Sequence, residues 1–319
     1  MAVARALEPL VLRPNNSENL QTVAVKIREL ITQHMPGTQV SFFGSAVSGL
    51  SLQGSDVDSL IHLTSEEIQI ETVCSILRLR DSGFYISKVL SQARVPLVKC
   101  VHRSSAIRVD LTFDTPFKRR TQVIQNTLLM SKYAGRPKFR KAYLSFKLLF
   151  RDTPVTSNQF GGLSSYAWGI IFSAVCLNER CFGLVNINTY RNERYRRRAF
   201  PKPFTSVLMW VLEGLGSGTF FKCAFDIRGG TAAVLPSPEL SVPDPYEERD
   251  LAEKLQPEVS TLAQHLARHW IYFLERNDSV AIEREHVRIC EEVIPRWKTL
   301  KPKGRKRPPY SAADIGLHP

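Results

Sequence analysis

The run Val40-Ser-Phe-Phe43 stops at the turn Gly44-Ser45, and after a short segment Asp56-Val-Asp58 opens the next apolar run. Strand side chains alternate faces, so Asp56 and Asp58 point the same way, about 7 Å apart. No Lys or Arg adjoins the pair in sequence, and two like charges on one face repel unless a cation sits between them. The chemistry asks for Mg²⁺, with Mn²⁺ as the alternative, because a hard ion is held by a few carboxylate oxygens while substrate phosphates supply the rest. A third carboxylate is offered by Ala106-Ile-Arg-Val-Asp-Leu-Thr-Phe-Asp114. There Val109, Leu111 and Phe113 form one face and Arg108, Asp110, Thr112 and Asp114 the other, which is the pattern of a half-buried strand. Asp110 is mid-strand, where a neighbouring strand could bring it beside Asp58; Asp114, before Thr115-Pro116, reads as a turn residue.

The surrounding pattern is a small α/β unit followed by a helical one. Ser17 is a plausible N-cap for a helix ending near Pro36-Gly37. Strands are expected at 38–44, 56–63, 86–91, 95–102 and 106–113, with a helix near 65–80. From Thr121 the apolar spacing turns helical, over 121–133, 137–151, 163–178, 203–213, 248–254 and 257–276. The fold class is α+β, with an extension at 1–15, a mixed-sheet domain at 16–116, a helical domain at 117–295 and a basic tail at 296–319. No internal repeat is visible.

With 319 residues, 43% of them hydrophobic, the chain can bury a substantial core. A formal charge of +13 favours a polyanionic partner. The clusters Arg191-Asn-Glu-Arg-Tyr-Arg-Arg-Arg198 and Lys298-Thr-Leu-Lys-Pro-Lys-Gly-Arg-Lys-Arg-Pro-Pro309 suit an RNA path and a phosphate-gripping or targeting tail. The six cysteines lack a Cys-x-x-Cys pair and read as reduced thiols. His265 and His269 share a helix face, but the glutamate of a zinc protease is missing after the first. No run reaches the roughly 18 apolar residues of a membrane span, so no membrane partner is expected.

The second half has its own constellation. In Gly161-Gly-Leu-Ser-Ser-Tyr166 loop glycines lead to serines at a helix start. Ser165 there suits a phosphate and Tyr166 could stack on a base, the alternative being a capped helix with Tyr166 in the core. Lys147 and Arg151 lie four apart, so one helix face would present both cations. In Val242-Pro-Asp-Pro-Tyr-Glu-Glu-Arg-Asp-Leu251, Asp244 and Glu247 are placed at a helix start, where capping is the structural alternative. Acceptors alone suit uracil, whose N3 carries a hydrogen that cytosine N3 and adenine N1 lack.

Gly-Ser, Asp-x-Asp and the later Asp110 together resemble the polymerase-beta-type nucleotidyltransferases. Leu-Ser-Ser-Tyr, Asn126-Thr127 and Asp-Pro-Tyr-Glu narrow the resemblance to RNA terminal uridylyltransferases and noncanonical poly(A) polymerases, covering most of 15–275. The resemblance implies a bilobal enzyme, its catalytic domain joined to a helical, poly(A)-polymerase-associated-type domain with UTP between the two. It implies a two-metal transfer of UMP from UTP to an RNA 3′-hydroxyl, with Asp56, Asp58 and Asp110 as the catalytic and metal-binding residues. The implied nucleotide-binding set is Gly44, Ser45, Ser55, Asn126, Thr127, Lys147, Arg151, Ser165, Tyr166, Asp244 and Glu247. In it Asn126 bonds the ribose and base, and Lys147 with Arg151 stands where the family usually has two lysines. Only 15 residues lie between Asp110 and Asn126, so the chain is most similar to minimal trypanosomatid enzymes without a middle domain. That likeness, with the arginine-bearing start, implies a mitochondrial editosome-like complex, the cytoplasm being the alternative; a homodimer is left open because a lost middle domain leaves apolar surface to cover. The alternatives are an ATP- or CTP-using polymerase of the same fold and an inactive RNA-binding scaffold.

Overall fold

The computed structural model describes residues 17–62, 70–93, 95–114, 121–177, 204–228, 233–276, 279–300 and 312–317, with Val3, Leu7, Pro9 and Leu10. The basic runs 191–198 and 301–309, the N-terminal arginines and Cys181 lie outside the described residues. Two compact units are formed, one from Arg13–Gly135 and the other from Met1–Leu12 with Arg136–Pro319.

In the first unit α1 (Ser17–His34) leads into β1 (Gln39–Phe43), the single turn α2 (Ser45–Ser48) and β2 (Val57–His62). There follow α3 (Ile70–Arg78), β3 (Phe84–Leu90), β4 (Leu97–His102), β5 (Arg108–Asp114) and α4 (Thr121–Ala134). The sheet runs β1-β2-β5-β4-β3, with β2 and β5 parallel and every other neighbour antiparallel. Alternation drives this arrangement: Val57, Val98, Cys100, Val109, Leu111 and Phe113 turn inward onto Val23, Ile27 and Ile31 of α1 and Val73 and Leu77 of α3. The opposite face of β2, β4 and β5 carries Asp58, Lys99, Asp110 and Thr112. Asp114 corrects the turn reading: it is the buried last residue of β5, 3.1 Å from Nδ1 of His62, whose Nε2 reaches Ser41 Oγ at 2.9 Å. The register pairs His62 with Asp114 directly across the parallel strands. Helix α4, given to the helical domain on its periodicity, clusters with the sheet unit.

The second unit contains α5 (Pro137–Phe150), α6 (Ser165–Leu177), α7 (Phe204–Ser217), α8 (Pro257–Leu274), α9 (Ser279–Arg288) and α10 (Ile294–Leu300). Helix α6 is buried at every position from Ala167 to Val175, so it is a core helix. Its Trp168 lies 4.4 Å from Phe146 of α5 and donates its indole N–H to Val155 O at 3.1 Å. A two-stranded ribbon, β6 (Cys223–Asp226) with β7 (Ala233–Pro236), was not foreseen. The expected helix at 248–254 is absent. That stretch is a bend closed by the Pro243–Asp250 bridge, because Asp250 accepts the N–H groups of Val242 and Ala252, the Ser241 hydroxyl donates to its other oxygen, and no helix is started.

A buried ion network ties α8 to α9. Glu285 meets His269 Nε2 at 2.7 Å and accepts a fork from Arg288, which also donates to Gly316 O at 3.1 Å. Burial would raise the Glu285 pKa, but these hydrogen bonds outweigh it and hold the carboxyl at about 2, below its ordinary 4.5. A depressed folded-state pKa contributes stability that is present above the ordinary value and lost as pH falls toward the folded one. E285Q is expected to melt below wild type at neutral pH, the gap narrowing as pH falls from about 4.5 to about 2; a pH-independent gap in thermal melts would contradict the assignment.

The five described residues Cys74, Cys100, Cys176, Cys223 and Cys290 are free thiols. Among the described residues no helix is long and apolar enough to cross a membrane.

Candidate active site

The parallel register sets Asp58 beside Asp110, and one oxygen from each of Asp56, Asp58 and Asp110 lies within 4.8 Å of the others. All three side chains are half-buried. Burial raises the Asp110 pKa most, the Lys99 bond lowers it, and the Asp56 charge raises it again. Three hard oxygen donors crowded in this way suit a divalent cation, which relieves their mutual repulsion.

Lys99 was missed by the sequence reading. The antiparallel β4–β5 register places it opposite Asp110, and its ammonium bonds Asp110 Oδ2. The triad is therefore not without a basic neighbour, as sequence adjacency suggested. Alternation in β4, with Val98 and Cys100 inward, was the available signal; it needed the register to become a contact.

Gly44 fixes Asp58. Its φ of 76° and ψ of −154° fall in a region open essentially to glycine alone, and a Cβ there would lie 2.3 Å from Asp58 Oδ2. Its N–H donates to Thr127 Oγ1 at 2.8 Å, and that hydroxyl donates to Val123 O at 2.7 Å. Thr127 thus departs from its expected role: it is buried, and its hydroxyl braces the glycine turn instead of facing a nucleotide. Gly44 N–H is likewise already engaged, so the turn has lost that donor for a phosphate. Ser45 is half-buried at the start of α2. Ser55 Oγ accepts Leu52 N–H at 2.9 Å, closing the turn before Asp56. Asn126 is half-buried on α4, its Oδ1 accepting from Gln122 at 3.3 Å.

In the second unit Lys147 lies in the last turn of α5, but Arg151 is the cap residue after it. With ψ at 142° the chain has left the helix there, so the shared helix face is not formed; Arg151 Nε lies 3.3 Å from Asp152 Oδ2. Ser164, not Ser165, caps α6, accepting the Ala167 N–H at 3.1 Å. Ser165 is exposed, and its carbonyl receives the Tyr143 hydroxyl at 2.7 Å, tying α6 to α5. Tyr166 is half-buried, and its hydroxyl has no hydrogen-bond partner among the described residues. Burial pushes its pKa up, and Asp244, Tyr246 and Glu247 push it further, with Arg249 opposing.

Asp244 corrects its reading as a helix cap. It is 1% exposed, accepts Tyr246 N–H at 3.0 Å, and takes Arg249 Nη2 and Nε at 3.1 and 3.3 Å. Glu247 Oε2 is 2.6 Å from Arg249 Nε. The two acids therefore share one guanidinium, which the sequence reading left out.

A mixed sheet presenting three carboxylates from two parallel strands and the lead-in to one of them has the fold seen in polymerase-beta-type nucleotidyltransferases. Residues 3–134 match the family model described as poly(A) RNA polymerase, mitochondrial-like, central palm domain. Solved structures of the Cid1 poly(U) polymerase and of mtPAP share this fold. The chain is 27% identical over 172 residues to Terminal uridylyltransferase 7 of Homo sapiens, covering 51% of this chain and 11% of that protein. It is 27% identical over 173 residues to Poly(A) RNA polymerase protein 1 of Eremothecium gossypii, covering 52% of this chain and 26% of that one. The chain thus spans well under two thirds of the curated relatives it matches. A crystal structure of the Cid1 poly(U) polymerase, described as revealing the mechanism for UTP selectivity with Mg and 3′-dATP bound, has a TM-score of 0.59. It is 17% identical and covers 82% of this chain and 90% of its own.

Proposed function

We propose that the protein is a template-independent RNA uridylyltransferase, adding UMP from UTP to RNA 3′ ends with release of pyrophosphate. The observation that carries this reading is the carboxylate triad, its oxygens within 4.8 Å of one another. The RNA 3′-hydroxyl oxygen forms a bond to the α-phosphorus, the bond from that phosphorus to pyrophosphate breaks, and the hydroxyl proton passes to Asp110. Asp56, Asp58 and Asp110 would hold the metal, Asp110 on the side of the attacking hydroxyl, whose deprotonation it aids. When bound, a divalent cation such as Mg²⁺ supplies charge neutralisation and activates the hydroxyl. The family resemblance gives the triphosphate to Lys147, Arg151 and Ser165, the base to Tyr166 and the ribose to Asn126.

Uracil preference rests on Asp244 and Glu247 beside Tyr166, and on the UTP selectivity described for the Cid1 polymerase. Glu247→Ala is expected to narrow the UTP:CTP ratio in primer extension by about 10-fold, the scale of one lost base contact; an unchanged ratio would return Glu247 to a role in the bend alone. The ATP-using alternative has the description of the matched palm on its side. The Lys99–Asp110 ion pair favours the idle scaffold, since a lysine already neutralises one acid. Mn²⁺ titration followed by paramagnetic resonance separates enzyme from scaffold: an enzyme binds the ion at the triad, a scaffold does not. Action within a mitochondrial editing complex, and as a homodimer, extends the proposal on family resemblance.

A further inference from the structure

We infer that Arg249 is a specificity-determining residue that, together with Glu247, presents a paired donor and acceptor to the base. The inference deepens the uridylyltransferase reading and rests on it. Asp244 is the buried anchor: one oxygen holds the Tyr246 N–H, the other takes Arg249 Nη2, and Asp244 N–H donates to Arg249 O at 3.0 Å. The guanidinium is thus gripped at its side chain and its backbone. Its Nε spans to Glu247 Oε2. Arg249 and Glu247 nevertheless stay 48% and 38% exposed, whereas the Asp244 side chain is 0% exposed. Of the five guanidinium N–H donors, only those on Nε and Nη2 are used within the bend.

The two exposed side chains leave further guanidinium donors of Arg249 and the second carboxylate oxygen of Glu247 unused within the bend. Uracil offers the complement, an acceptor at O4 next to a donor at N3. Cytosine and adenine offer the reverse, an exocyclic amine next to a ring acceptor, and each would set donor against donor and acceptor against acceptor. Leaving such groups unpaired is costlier than the contact is worth. Two lone carboxylates would accept the uracil N3–H but also the amines of cytosine and adenine; Arg249 turns a general acceptor site into one that rejects amines. Guanine shares the uracil pattern, so GTP is the competitor that this pair alone does not exclude.

The test measures binding of UTP, CTP, ATP and GTP to the full chain by calorimetry, alongside single-nucleotide primer extension, for wild type, R249M and R249K. Wild type is expected to favour UTP, and R249M to lower the UTP:CTP ratio by about 10- to 100-fold, the discrimination worth of a good two-point contact. R249K keeps the charge without the planar fork and is expected to fold as wild type with an intermediate ratio. A wild-type UTP preference that survives both substitutions overturns the role of Arg249 alone. Equal weakening of all four nucleotides with a lowered Tm in both variants makes Arg249 a brace for the bend and also overturns it. Wild type favouring ATP or CTP removes the uridylyltransferase reading first, and this inference with it.

Discussion

Asp58→Ala should abolish RNA extension, on the order of 10³-fold or more, the scale on which removing one preorganised charge stabiliser acts. Asp58 is the member of the triad tied to both neighbours: it faces Asp110 across the parallel strands and Phe43 across the antiparallel ones. Removing its carboxylate deprives the site of the oxygen held between Gly44 and Asp110. The fold should tolerate the change, because the half-buried Asp58 side chain is not part of the hydrophobic core. Thermal melts close to wild type, retained RNA binding by filter assay and lost Mn²⁺ binding are the expected set. Extension at the wild-type rate would refute the metal assignment.

Gly44→Ala is expected to be nearly as damaging without touching an acid. The new Cβ would lie 2.3 Å from Asp58 Oδ2 on a backbone with φ of 76°, so either the turn or the carboxylate must move. Backbone strain alone costs about 1–3 kcal/mol, and movement of Asp58 separates it from its metal partners. Gly49→Ala is the control: that glycine has φ of 75° in the left-handed region, but a Cβ there meets nothing within 4 Å. It should lose about 1–2 kcal/mol of stability and keep its extension activity. Equal activity in the two variants, compared at matched folded fraction, would show that Gly44 matters only for its backbone.

Much of the sheet unit was legible because alternation is a local property. Val109, Leu111 and Phe113 announced their buried face, and the strands formed within a few residues of their expected places. Asp110 could be put beside Asp58 from pattern alone. Contacts set by register were not legible: Lys99 reaches Asp110, and His62 reaches Asp114, only once strand order and pairing are known. In the helical unit α6 was readable from its apolar run, whereas the bend around Asp250 looked like a helix start. Carboxylates before apolar residues favour helix caps and turns alike, and here Asp250 spends its oxygens on turn N–H groups. Thr127 shows the same limit, for a threonine on a helix carries no sign that it holds a glycine turn 83 residues away.

The central claim is tested most directly by incubating the full chain with Mg²⁺, a labelled RNA bearing a free 3′-hydroxyl, and one nucleoside triphosphate at a time. Extension that is fastest with UTP, absent on a 3′-deoxy primer and absent in Asp58→Ala is the predicted result. Preferential extension with ATP would contradict the uridylyl assignment, and no extension with any of the four nucleotides would contradict the transferase itself.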